Sequence, residues 1–171
     1  MIFTFDKTDS GIFGKAFEMA VKHALNRKHP DRVSPAGRED FIYNKKHYDI
    51  KQNGTVLKYS NFDGYIRGSS RVIYASHIDY TITAETATTI SIAVNLAATE
   101  MFVVDRKDFL DFLAENGLMK INASRGTVNV QTGYNYKKAQ YHGRAGKRIE
   151  AWAKDNEIAD DFIITDILDG E

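Results

Sequence analysis

The chain has 171 residues, 43% of them hydrophobic and 27% charged, with 23 Lys and Arg balanced against 23 Asp and Glu. Those proportions suit one soluble domain over residues 1–171, and ten Phe with nine Tyr give enough apolar area for a core, which excludes a disordered or collagen-like chain. The absence of Cys excludes disulfides, thiolate metal sites and cysteine nucleophiles, no run reaches the roughly 18 apolar residues of a membrane span, and Met1 to Ser10 has no basic region leading an apolar stretch, so the expectation is a cytoplasmic protein.

In chain order, Phe13, Phe17, Ala20, Val21 and Ala24 fall at helical spacing and predict an amphipathic helix over 13–25, with Thr8, Asp9 and Ser10 offering N-cap oxygens. Pro30, Pro35 and Gly37 then impose a loop. Residues 40–43 and 47–52 read as two short antiparallel strands ending at the turn signal Asn53-Gly54. Residues 71–75 form another strand, whereas the Thr-, Ala- and Ile-rich segment 77–98 is ambiguous between strand and helix. The apolar run 100–104 predicts a buried strand feeding a helix that Asp105 caps, that carries Phe109, Leu110, Phe112 and Leu113, and that stops at Asn116-Gly117. Alternation over 127–131 gives a half-buried strand, and Ile149, Trp152 and Ala153 a last helix, before an acidic C-terminal tail over 156–171. With no internal repeat and no linker, this order predicts an α/β (α+β) fold with a mixed central sheet flanked by helices.

Charge is unevenly distributed. Residues 116–149 hold seven basic side chains (Lys120, Arg125, Lys137, Lys138, Arg144, Lys147 and Arg148) and no acid, while 150–171 hold one base and eight acids. Tyr134, Tyr136 and Tyr141 lie within the basic stretch, a mixture suited to phosphate contact and base stacking, or equally to a solvated face whose rings pack on the domain. The acidic tail can fold back on the basic stretch, contact a protein partner or remain solvated.

On the strand 47–51, alternation places His47, Asp49 and Lys51 on one face and Tyr48 and Ile50 on the other. Asp40, on the preceding strand of the hairpin, can approach Asp49, and two carboxylates meeting there repel unless a hard cation lies between them. Glu18 borders the apolar stripe of the first helix, where it can point along the sheet toward the hairpin. The alternative is a surface ion pair of Asp49 and Lys51 with Lys45 or Asp40.

Glu18 on an N-terminal helix, Asp40 at a strand start and Asp49-Ile50-Lys51-Gln52 on the next strand resemble the core motif of the PD-(D/E)XK, or restriction-endonuclease-like, nucleases. The strand–helix unit 100–115 and the strand 127–131 resemble the second half of that fold. Glu39 stands where the family has proline, and nine positions separate the two aspartates. The resemblance implies Mg²⁺ (or Mn²⁺) held by Asp40 and Asp49 with help from Glu18, Lys51 as the catalytic lysine and Gln52 assisting at the phosphate. It further implies DNA as partner, with RNA possible. Lys137, Lys138, Arg144, Lys147 and Arg148 would contact phosphates, with Tyr134 and Tyr136 beside them, and a homodimer would cut both strands of a duplex. The compact size suggests targeting by structure or by a partner, as in a phage or mobile element. A nuclease-fold protein that binds nucleic acid or protein without cleaving is the competing expectation.

Other chemistry has less support. The five His are scattered without zinc spacing, no phosphate-binding Gly-x₄-Gly-Lys-Ser/Thr loop is present, and no Gly-x-Ser-x-Gly nucleophile motif occurs.

Overall fold

The computed structural model describes residues 1–34, 41–52, 56–58, 70–122, 127–130, 134–135, 140–141 and 144–171. In chain order the elements are β1 (Ile2–Asp6), α1 (Ile12–Lys28), β2 (Val33–Ser34), β3 (Phe41–Tyr43), β4 (Lys46–Gln52), β5 (Val56–Lys58), β6 (Ser70–His77), β7 (Tyr80–Glu85) and β8 (Thr89–Val94). A 3₁₀ turn (Leu96–Ala98) leads to β9 (Glu100–Asp105), α2 (Arg106–Glu115), β10 (Met119–Asn122), β11 (Thr127–Val130), β12 (Tyr134–Asn135), β13 (Gln140–Tyr141), α3 (Arg144–Asp155) and α4 (Ile163–Gly170).

The central sheet has five strands in the order β2-β3-β4-β6-β9, so it follows the chain order. Only β4 and β6 are parallel; the other neighbours run antiparallel, and the sheet is mixed, as expected. β3 and β4 form a two-residue hairpin in which Tyr43 pairs with Lys46 and the turn residues Asn44 and Lys45 take φ of 50° and 66°. Two consecutive left-handed residues give the mirror-image turn whose twist matches that of the strands. A second sheet, β1-β8-β7, resolves the ambiguous segment: 80–94 is a hairpin, with Ile90, Ile92 and Val94 turned inward. β10-β11-β5 and β12-β13 form two smaller antiparallel sheets.

Apolar clusters cover both faces of the central sheet. On one, Phe17, Ala20, Val21, Ala24 and Leu25 of α1 meet Phe41, Tyr48 and Ile73 together with Ile163 and Ile167 of α4. On the other, Phe109, Leu110 and Leu113 of α2 and Ile149 and Ala153 of α3 meet Val72, Tyr74 and Val104. Each fully buried Val, Leu, Ile or Phe among them contributes about 1.5–3 kcal/mol.

Two expectations about chain ends change. The cap of α1 is Gly11 at φ 64°, not a side chain of Thr8, Asp9 or Ser10. The reason is local: the Thr8 hydroxyl and its amide both donate to Asp6 Oδ1, at 2.7 and 2.9 Å, which commits that turn before the helix begins. The acidic segment 156–171 contains α4, which packs along α1. Gly170 makes the approach possible, because a Cβ there would collide with the backbone carbonyl of Ala24. Just before α4, the Ile158 amide donates to Val103 O at 2.9 Å, covering the outer edge of β9. Among the described residues no helix is long and apolar enough to cross a membrane.

Candidate functional site

β4 lies between β3 and β6, so both of its edges are paired and its side-chain directions are fixed. Asp49 and Lys51 register with Val72 and Tyr74 of β6, both members of the cluster beneath α2 and α3. Registered neighbours share a face, so Asp49 and Lys51 point toward α2 and α3 while Tyr48 and Ile50 point toward α1. This is the alternation the sequence predicts.

Asp49 is buried, and its Oδ2 lies 3.2 Å from Nε of Arg106, the two side chains being 3% and 8% exposed. The topology makes this pairing. Val72, beside Asp49, is registered with Val104 of β9, and β9 runs directly into α2. Asp105 caps that helix by accepting the Asp108 amide at 3.0 Å, as its sequence position predicts, and so fixes the backbone from which Arg106 reaches back over the sheet. A carboxylate removed from water requires its charge to be met, and the guanidinium meets it.

Lys51 follows two residues on, half-buried. Gln52 turns to the opposite face, against the first turns of α1. A Cβ on Gly14 would lie 2.5 Å from Gln52 Nε2, so glycine leaves the room that the amide occupies. Glu18 is one helical turn beyond Gly14 and therefore shares its side of α1. Its carboxylate is 2.8 Å from Lys22 Nζ, on the helix surface. Asp49 faces away from α1, so Glu18 and Asp49 approach the sheet from opposite sides. Asp40 lies outside the described residues. Among the described residues there is no group of three or more His, Asp or Glu able to hold a metal ion.

Of the predicted nucleic-acid contacts, Lys147 and Arg148 are exposed on α3, and Arg148 Nη2 donates to Asn116 Oδ1 at 2.6 Å. Tyr134 belongs to β12 and Arg144 opens α3, whereas Tyr136, Lys137 and Lys138 lie outside the described residues.

Two polar constellations were not foreseen. The first centres on Asp161, buried ahead of α4. Its Oδ2 accepts the Tyr48 hydroxyl at 2.8 Å and lies 3.2 Å from Arg71 Nε, while Oδ1 accepts the Ile163 amide at 3.1 Å. Beside it Tyr43 donates to Asp166 Oδ2 at 2.6 Å. Tyr43, Tyr48, Asp161 and Asp166 line a small cavity of about 170 Å³ next to Phe162, which is 68% exposed. Burial, reinforced by the hydrogen bonds to Asp161 and Asp166, raises both phenols well above their ordinary value, so they act as neutral donors. The second is the pair Glu100 and Glu150, on a 380 Å³ groove bounded by Met101, Phe102, Ile164 and Leu168. Ser76 Oγ donates to Glu100 Oε2 at 3.1 Å, and burial, followed by the hydrogen bond with Glu100 and that residue's charge, raises the Glu150 carboxyl above its usual range. Neither Asp161 nor Glu150 carries a local signal that separates it from the other acids of the C-terminal region.

Comparison with protein-family models, with curated proteins and with solved structures finds no match for this chain.

Proposed function

We propose that the chain is a nuclease of restriction-endonuclease-like fold that hydrolyses phosphodiester bonds of DNA with Mg²⁺ or Mn²⁺. The observation that carries this reading is the placement of Asp49 and Lys51 on one face of a doubly paired central strand, in a mixed sheet with helices against both faces. A mixed sheet between helices is what the resemblance to the PD-(D/E)XK nucleases implies. The Lys51 ammonium offsets the negative charge that builds on a phosphate under attack. Asp49 contributes the hard oxygen that a divalent ion prefers, and such an ion would polarise the phosphate and lower the pKa of bound water. The described donors do not yet make a site for that ion: Arg106 meets the charge of Asp49 and Lys22 that of Glu18. With one active site per chain, cutting both strands of a duplex requires two chains.

The test is cleavage of supercoiled plasmid with Mg²⁺, Mn²⁺ or EDTA by the wild type, Lys51→Met and Asp49→Asn, each checked for fold by circular dichroism. Metal-dependent nicking that both substitutions abolish is the expected result. A folded wild type that cuts neither duplex DNA, single strands nor RNA defeats the reading.

The buried Asp49–Arg106 pair favours one alternative, a nuclease-fold protein that binds nucleic acid without cutting it. In that case Lys147 and Arg148 contribute to binding that falls steeply with salt and survives Asp49→Asn.

A further inference from the structure

We propose that the outer edge of β9, beside Glu100 and Glu150, receives an extended segment of a partner polypeptide that carries a lysine or arginine. The segment pairs its main chain with Met101 and sets its basic side chain against the two carboxyls. None of these residues belongs to the nuclease reading.

The alternation of the strand sets its free edge. In an antiparallel ladder the N–H and C=O of one residue point to the same side, and those of the next residue to the other. Val103 O accepts the Ile158 amide, so the main chain at Val103 faces outward, that of Phe102 and Val104 faces β6, and that of Met101 faces outward again. At Val103 the chain covers its own edge. At Met101 no main-chain group among the described residues does so, which leaves one donor and one acceptor for an added strand. The space beside them suits one kind of occupant. Phe102 packs toward α3 and Met101 toward α4, and between the two helices runs the 380 Å³ groove whose apolar wall ends in Leu168, 41% exposed. Glu100 and Glu150 stand in the same wall. Burial and the neighbouring Glu100 hold the Glu150 carboxyl above its ordinary value although Lys147 and Lys154 pull it down, so the pair still has charge to be met. A docked helix would offer side chains but no main-chain partner for Met101, whereas a strand offers both, with every second side chain entering the groove. A basic side chain there finds opposite charge, and an acidic one is repelled.

A phage-displayed library of short random peptides is selected on the immobilised full chain, and the enriched peptides are synthesised and titrated by calorimetry and NMR. The expected family carries Lys or Arg between β-branched or aromatic residues, shifts the Met101 amide resonance, and binds the double variant Glu100→Gln/Glu150→Gln about tenfold more weakly than the wild type. N-methylation of alternate peptide residues is expected to abolish binding in one phase and to spare it in the other, as pairing along a single edge requires. Should the double variant fail to fold, the Met101 amide and the two N-methylated series carry the test on the wild type. A selection that enriches no family, a family without a basic residue, or one that binds the folded double variant as tightly as the wild type overturns the proposal. So do N-methylated forms that bind alike, and a Met101 amide unmoved at saturation.

Discussion

Asp161→Ala tests how α4 is attached. The lost carboxylate is 3% exposed and serves three partners: it accepts the Tyr48 hydroxyl, on a residue 1% exposed, and the Ile163 amide, and it forms an ion pair with the Arg71 guanidinium on a side chain 23% exposed. Removing one partner of a buried ion pair costs about 3–5 kcal/mol, and partial solvent access to Arg71 places this case at about 3 kcal/mol. Tyr48→Phe removes one hydrogen bond to a charged acceptor and leaves the Ile163 amide and the Arg71 ion pair in place, at a cost of about 1.5 kcal/mol. Both values are large fractions of a total stability of roughly 5–15 kcal/mol. Equilibrium unfolding in urea, followed by Trp152 fluorescence and by far-ultraviolet circular dichroism, measures them. An Asp161→Ala penalty below about 1 kcal/mol, or no larger than that of Tyr48→Phe, would refute the view of Asp161 as the hub joining β4, β6 and α4.

Gly14→Ala gains about 1 kcal/mol of helix propensity but sets a Cβ 2.5 Å from Gln52 Nε2, so it is expected to give no gain in the wild type and about 1 kcal/mol in a Gln52→Ala background; equal effects on the urea midpoint in both backgrounds would show that the contact is absent. Glu150 has a carboxyl pKa raised above its ordinary 4.5 in the folded chain, so the stability it contributes is complete below that value and is lost as pH rises through the folded value. Thermal melts of Glu150→Gln are therefore expected to gain on the wild type at about pH 7 and to match it at about pH 4, and an offset independent of pH contradicts the carboxyl pairing with Glu100.

The parts of the fold that the sequence made legible rest on local signals. Alternation along Tyr48, Asp49, Ile50 and Lys51 assigned their faces, and the run from Glu100 to Asp105 announced a strand, a cap and a helix in one pass. Thr and Ala fill much of 80–94 and suit either element, so the pattern leaves that hairpin ambiguous, and it is the pairing of β8 between β1 and β7 that makes it a sheet. In α4 the acids mask Ile163 and Ile167, whose spacing by four already describes a helix face. The site was less legible for a different reason. Its two decisive neighbours, Arg106 to Asp49 and Gly14 to Gln52, come from elements remote in sequence that meet only through sheet topology. The helical spacing places Glu18 on its helix, yet which side of the sheet that helix covers is a tertiary fact.

The contacts of the C-terminal segment span long stretches of chain: Tyr48 to Asp161 over 113 residues, Tyr43 to Asp166 over 123 and Lys28 to Asp169 over 141. Closing loops of that length costs chain entropy before any contact rewards it, and non-local contacts of this kind slow folding. The β3–β4 hairpin and the β9–α2 unit, joined by a two-residue turn and by no loop at all, can organise first. The apolar face of α1 then waits, exposed, for a segment more than a hundred residues away. Refolding therefore has its greatest risk of aggregation in the interval before α4 docks, and dilution during that interval should raise the recovered yield more than any change made to the early hairpin.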